Sequence, residues 1–439
     1  MPASRSARSW STEVSIIANA SNPDLVVIGA GAAGLAAAAT AREQGLDTVL
    51  IEAAGRVGGR AWTDTETFGV PFDRGCHWLH SASRNPFTEE AERLGHRFTR
   101  KSSAPAATFI GEGWADEAGR EAIWGRLQDV FEAMHAAGQR GHDVSARTFL
   151  DPQDPLYQFL EHWIALFTAS DAADVSALDY DRYADTWENW PVDEGYGALV
   201  ARVFGDQQAR LNTPATAIDW SGEGVRVETP DGAIRARAAI VTVSTGVLAG
   251  GAIRFTPGLP DAYGEAFEAL PVGCAEKVVL AFDRDVFDVP ATSYVNVLDL
   301  GDPARRPINF LLRPGGSNLA VGTFAGSFAR NLLAEGEAAV ADFGLAALCD
   351  AYGSGIRRHL VKAAATAWVA DPLIAGAYSI ARPGKADCRR VLADPVGGRI
   401  FFAGEAVSQD AFSTCHGARA TGEAAARAVV AEFGARGAA

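Results

Sequence analysis

The chain has no window of the roughly eighteen uninterrupted apolar residues that a membrane span requires. Its longest mildly apolar stretch, Leu25 to Ala39, is broken by Gly29, Gly31 and Gly34 and reads as strand, turn and helix start. Lysine is scarce, with Lys101, Lys277, Lys362 and Lys385 the whole complement, so a lysine inside an apolar strand stands out. The five cysteines, Cys76, Cys274, Cys349, Cys388 and Cys415, form no C-x-x-C pair. An odd, scattered set fits a reducing compartment better than a disulfide framework, and a cytoplasmic location is expected. The histidines show no metal-ligand spacing, so no metal is expected. Positive charge is also short. The net charge of −15 argues against a nucleic-acid surface and suits cationic partners.

What is present begins with length. The 439 residues, 48% hydrophobic and 21% charged, are enough for two packed domains. Residues 1–23, with Arg5, Arg8 and several serines, read as a flexible tail, a transit peptide being the weaker alternative. Leu25-Val26-Val27-Ile28 is a β-branched run that ends at Gly29. The run Gly29-Ala30-Gly31-Ala32-Ala33-Gly34 follows, then an alanine-rich helix to about Gln44 and a second strand, Thr48–Ile51, closing on Glu52. This is G-x-G-x-x-G in its βαβ context. The glycines permit the turn, the approach of a pyrophosphate and close helix packing. The helix N-terminus offers amides and partial positive charge to phosphate. Glu52 stands where an acid accepts hydrogen bonds from ribose hydroxyls. Gly29, Gly31, Ala33, Gly34 and Glu52 are therefore candidate dinucleotide contacts.

Further along, helical spacing occupies Ala122–His135, Leu156–Phe167 and about Glu335–Tyr352. Strand-like alternation occupies Val225–Glu228, Ala239–Val243 and Lys277–Phe282. Arg399–Glu405 reads as a buried strand entering a loop, and a last helix is predicted from about Gly417 to Phe433. There are no internal repeats.

Directly after Glu52 stands Ala53-Ala54-Gly55-Arg56-Val57-Gly58-Gly59-Arg60, whose backbone donors and guanidinium forks suit a pyrophosphate. This run resembles the second glycine motif of the flavin amine oxidases. The resemblance continues through Asp73-Arg74-Gly75-Cys76-His77-Trp78-Leu79-His80, Asn85-Pro86, residues 174–178 and 195–199, and Val241 to Pro257. It continues in Glu276 to Phe282, in Trp368 to Tyr378, and in Phe402-Ala403-Gly404-Glu405 with Thr414-Cys415-His416-Gly417-Ala418. Among these the His77–His80 segment is most similar to polyamine oxidases, although Cys76 and Ser81 replace an alanine and a glycine.

The resemblance implies an α/β flavoprotein with a Rossmann-like FAD-binding domain, of the two-dinucleotide-binding-domain flavoprotein type, interleaved with a mixed sheet-plus-helix substrate domain. The expected division assigns 24–85, 196–275 and 365–439 to FAD and 86–195 and 276–364 to substrate. FAD contacts are expected also from Arg60, Ala215, Gly404, Glu405, Gly417 and Ala418. Lys277 is expected to hold a water beside the flavin, and Tyr378 to offer its ring face to the amine. Thr414 stands where monoamine oxidases carry a second aromatic residue. Ala377 stands where they carry the cysteine that attaches FAD, so FAD is expected to bind without a covalent link. His80 is expected to face substrate, His77 and Trp78 to pack, and His416 could do either. Asp171, Asp174, Asp185 and Glu188 are candidate anchors for a distal ammonium group.

The implied reaction is oxidation of a polyamine-like, small-molecule amine to an imine, which water converts to aldehyde and amine, with molecular oxygen reduced to hydrogen peroxide. Two readings compete with it: an oxidase or dehydrogenase of another amine or an amino acid, and a flavin-binding protein without catalysis.

Overall fold

A computed structural model of the protein describes residues 22–100, 107–302 and 305–437. The tail expected over residues 1–23 thus lies outside the described residues, except for its last two positions.

The strand Leu25–Ile28 is central to a five-stranded parallel sheet in the order Ile400–Phe402, Ala238–Val241, Leu25–Ile28, Thr48–Ile51, Ala209–Arg210. Its central strands are apolar on both faces because both faces are covered. Leu25, Val27, Leu50 and Ile240 point into one cluster with the helices Ala32–Glu43 and Cys415–Gly437. Val26, Ile28, Ile51 and Val241 point into another, shared with the helix Asp261–Ala269. The two helices on the first face lie very close. A Cβ on Gly422 would fall 2.0 Å from Ala33 O, so the small residues there serve helix packing as well as the turn.

The second large sheet has seven strands, ordered Leu360–Ala365, Ala275–Phe282, Leu319–Ala325, Ile308–Leu312, Ser293–Leu298, Ala107–Ile110, Gly113–Trp114. The even positions Val278 and Leu280 face the helix Glu337–Tyr352. The odd positions Val279 and Ala281 meet Phe72, Tyr294 and Trp78. Lys277 belongs to this second face. A four-stranded sheet built around Val225–Thr229 packs against the five-stranded one.

Two short pairings were not legible in the sequence: Thr63–Asp64 with Phe72–Asp73, and Trp78–Leu79 with Trp190–Pro191. They fold the segment after the second glycine run back over the seven-stranded sheet. No helix among the described residues is long and apolar enough to cross a membrane.

Candidate active site

The two glycine runs lie side by side. Gly58 N donates to Ala30 O at 2.8 Å, and Gly31 bridges Gly58 in parallel. Gly29 (φ +99) and Gly58 (φ +98) make turns that a side chain would strain. Glu52 stands between them, accepting Ala30 N at 2.6 Å and Ala54 N at 2.8 Å, with lone pairs left for hydroxyl donors. Ala215 is buried on the segment after Thr213, whose amide donates to Glu52 O at 2.8 Å.

The helix Ala32–Glu43 has no side-chain cap, so its first-turn amides are available to an anion. Half-buried Arg56 makes one hydrogen bond, to Val57 O, and among the described residues no carboxylate comes within ion-pair distance of it. Burial lowers its pKa, with Glu52 and Asp371 opposing. A guanidinium in that position fits a pyrophosphate, and the groove as a whole fits FAD.

Beyond the groove a buried ionic network begins at Arg60, whose Nη1 donates to Ala377 O at 2.6 Å and to Glu405 Oε1 at 2.9 Å. Glu405 also accepts Ser379 Oγ at 2.6 Å and Ser413 N at 2.9 Å. Burial pushes its pKa up, but Arg60, Ser379 and Arg389 together hold it below the usual carboxylate range. Arg389 donates to Ser379 Oγ and to both oxygens of Asp179. Tyr378 therefore rides on a segment clamped at Ala377 and at Ser379. The oxygens of Glu405 organise this clamp rather than standing free for a cofactor. Arg389, Asp179 and Ser379 went unnoticed in the sequence, where a lone arginine in a short helix carries no signal of its partners.

The same segment is tied to the strand that bears Lys277. Gly273 N donates to Tyr378 O and Ala377 N to Gly273 O, both at 2.8 Å. Lys277 Nζ donates to Asp73 O and Gly75 O, each at 2.7 Å, which leaves its third hydrogen uncommitted. Burial lowers its pKa, against the opposing pull of Asp73 and Cys76. Gly75 is required here, since a Cβ would fall 1.7 Å from Arg60 O. Glu276, on the opposite face, holds the Trp368 turn by accepting Thr366 Oγ1 and Val369 N. Tyr378 Oη donates to Leu166 O at 2.5 Å, and burial raises its pKa.

His80 lies in a second group. Its Nδ1 is 2.6 Å from Asn189 Oδ1, an oxygen that only accepts, so the proton sits on Nδ1 and Nε2 keeps its lone pair. Asn85 Nδ2 reaches His80 O at 3.0 Å and His416 Nδ1 at 3.4 Å. Burial lowers the pKa of His80, and takes His416 down to about 4 with His80 adding to the effect. Thr414 caps the last helix, accepting Gly417 N at 3.0 Å and donating to Ala411 O. The helix starts at Cys415, two residues earlier than expected. The Gly417 and Ala418 amides bond back to Thr414, and the orphan amides of the first turn are those of Cys415 and His416. Gly404 (φ +138) is held by Thr421, whose hydroxyl accepts its amide at 3.0 Å.

Of the four candidate acids, Asp185 acts on His80 from the loop leading to Asn189, whereas Glu188 on the same loop turns its carboxylate to Thr186 and Ser83. Asp185 accepts Ser81 Oγ and Trp187 N there. Asp174 pairs with Arg382 at the surface, and Asp171 accepts Ser327 N. His77, expected to pack, is 3.3 Å from Asp73 Oδ2 and 3.5 Å from Tyr294 Oη, and so belongs to a buried polar chain.

The family profile of flavin containing amine oxidoreductases matches residues 115–430, and that of an NAD(P)-binding Rossmann-like domain matches residues 27–92. The chain belongs to the flavin amine oxidase family. This amine oxidase is 28% identical to polyamine oxidase 4 of Oryza sativa subsp. japonica over 93% of its own chain and 88% of that protein. It is 25% identical to human lysine-specific histone demethylase 2 over 91% of its chain, but spans only 52% of that protein. In fold it is similar to cyclohexylamine oxidase from Brevibacterium oxydans IH-35A, with a TM-score of 0.79 and 21% identity over 94% of this chain and 100% of that one. It is an FAD-dependent amine oxidase, and the FAD is bound without a covalent link.

Proposed function

We propose that the enzyme oxidises a polyamine-like amine at a carbon next to nitrogen. The observation that carries this reading is geometric: the strand bearing Lys277 is tied through Gly273 to the Tyr378 segment, and burial around Lys277, His80 and His416 works against their charged forms. A carbon gives up hydride only when its nitrogen has a free lone pair, and such surroundings favour the neutral amine. Bound FAD supplies the hydride acceptor. Arg56 and the amides of the helix Ala32–Glu43 would hold its pyrophosphate and Glu52 its ribose, and the Lys277 ammonium, with two hydrogens on Asp73 O and Gly75 O, would have its third for a water beside the ring. Tyr378, fixed by Leu166 O and the Arg60–Glu405–Arg389 clamp, presents its ring to the amine. His80 Nε2 accepts from a substrate N–H.

The balance for a secondary amine is amine plus oxygen plus water giving aldehyde, shorter amine and hydrogen peroxide. The similarity to polyamine oxidases and the acid Asp185 beside His80 support a substrate with a second, charged nitrogen. An amino acid would need an arginine free to grip its carboxylate. The two arginines at the Tyr378 clamp, Arg60 and Arg389, are already engaged by Glu405 and Asp179. The test is anaerobic bleaching of the flavin by spermine, spermidine, their acetyl forms, benzylamine, cyclohexylamine and several amino acids. Fast bleaching by a monoamine or an amino acid, with none by any polyamine, overturns the polyamine reading. Bleaching by nothing in the panel overturns the reading as an amine oxidase of these classes.

A further inference from the structure

Strand register places five polar residues in a line across the seven-stranded sheet. Lys277 is opposite Thr323, Thr323 opposite Asn309, Asn309 opposite Asn296, and Asn296 opposite Thr108. Directly opposed residues share a face, so all five lie on the face that bears Lys277, flanked along its strand by the apolar row of Val279, Val321, Leu311 and Tyr294. A polar row beneath an apolar one is unusual in a buried sheet, because each group needs a partner. Asn309 Nδ2 donates to Asn296 Oδ1 at 2.9 Å. Asn296 Nδ2 and Thr108 Oγ1 have no protein partner among the described residues, although the two residues are only 2% and 1% exposed.

A cavity overlies the inner half of this row. Lys277, Thr323 and Asn309 form its floor, Asp73 and His77 part of its wall, and exposed Gly315 lies at its mouth. We propose that the row binds a line of water molecules joining the Lys277 amino group to solvent beside Gly315. Water matches the lining chemically. Thr323 and Asn309 offer both donors and acceptors, and two further buried groups wait for partners that a small amphoteric molecule supplies.

An ammonium ion does not match. The Asp73 carboxylate already accepts Thr63 Oγ1, Tyr196 N and Gly197 N, with His77 beside it, and Asp193 accepts Thr99 Oγ1. The titratable groups around Lys277 are Asp73, Cys76 and His77 from one segment, Asp193 from the loop before the helix Tyr196–Val203, and Glu276 on the far face. Along such a line the Lys277 ammonium passes a proton to the first water, the last water releases one to bulk, and the lysine is left as the neutral amine. The inference holds whichever amine is oxidised.

The test is a crystal structure of the FAD-loaded enzyme at a resolution that shows ordered water, together with the pH profile of an Asn309→Leu variant. Expected are waters in hydrogen-bond range of Asn296 Nδ2 and Thr108 Oγ1 and along the floor to Lys277 Nζ. Expected in the variant are their loss, an unchanged FAD content and a displaced pH profile of flavin reduction. A wild-type row without water, its polar groups bonded to protein, overturns the proposal. So does a variant whose profile superimposes on that of the wild type. Should Asn309→Leu not fold, the wild-type waters alone decide.

Discussion

Asp179 and Arg389 meet as two forks across 210 residues of sequence, Nε to Oδ1 at 2.7 Å and Nη2 to Oδ2 at 2.8 Å. Both side chains are almost wholly buried. Arg389 Nη1 goes on to Ser379 Oγ and Ala406 O, so the pair fixes both the Tyr378 segment and the loop after Glu405. A buried pair this well satisfied is costly to break on one side alone, because the survivor keeps its charge without its partner. Arg389→Met should lower stability by about 3–5 kcal/mol and loosen FAD retention. Denaturant titration with flavin content read in parallel checks this. A second change, Asp179→Leu, should recover part of the loss. A single variant as stable as wild type would remove the pair from the account of the site.

FAD should leave on denaturation. Ala377 carries no nucleophile, and its carbonyl is taken by Arg60. Acid precipitation is expected to give a colourless pellet beneath a yellow supernatant, and a pellet that stays yellow after washing would contradict the non-covalent link.

The cofactor groove was legible because its parts are close in sequence: strand, glycine turn, helix and Glu52 fall within one βαβ unit, and the second glycine run follows at once. Lys277 was legible because a lysine in an apolar strand is rare in this chain. The Asp179–Arg389 fork and the Lys277–Thr108 row were not, since each depends on which distant strands and helices become neighbours. A one-residue slip of register would dissolve the row. The helix start at Cys415 was misplaced for a related reason: Thr414 reads as a substrate-site residue, and only its bonds to Gly417 N and Ala411 O reveal it as the cap.

Replacing Lys277 with Met removes the donor to Asp73 O and Gly75 O and the third hydrogen that the proposed function assigns to water. The fold should survive, weakened by about 1–3 kcal/mol for the abandoned carbonyls. Turnover should fall at least about tenfold, roughly 1.4 kcal/mol of barrier. Stopped-flow measurement of both half-reactions separates the two effects. Wild-type rates in both would reduce Lys277 to a structural role.

Acid should destabilise the enzyme through His416. Its pKa of about 4 in the fold lies below the ordinary histidine value, so between about pH 6.5 and 4 the unfolded chain binds more protons. Stability is therefore fully present above that window and is lost as pH falls through it, by at most about 3 kcal/mol. His162, taken down to about 3 by burial, acts in the same direction. Comparison with His416→Gln isolates the share of His416, since the slope of stability against pH should flatten in the variant. Parallel slopes would mean that His416 titrates normally.

Substrate selection should carry an electrostatic signature. Hydride loss requires a neutral reacting nitrogen, while the distal nitrogens of a polyamine stay charged and, on the proposed reading, meet Asp185 on the loop beside His80. The two requirements pull apart with conditions. Raising pH toward the amine's own pKa supplies more of the reactive form, so kcat/KM should climb with pH. Raising salt from low ionic strength shortens the Debye length to about 10 Å at 0.1 M and weakens attraction to an acid that is only half-buried. Efficiency with spermine or spermidine should fall accordingly, while that with benzylamine, which lacks a distal charge, stays level. Asp185→Asn should mimic the effect of salt, and His80→Ala should weaken polyamine turnover more than that of a simple monoamine. Stopped-flow flavin reduction across pH and salt, with both variants and both substrate types, measures each term. Identical salt responses for spermine and benzylamine would show that no charged anchor operates, and the polyamine preference would then have to rest on shape alone.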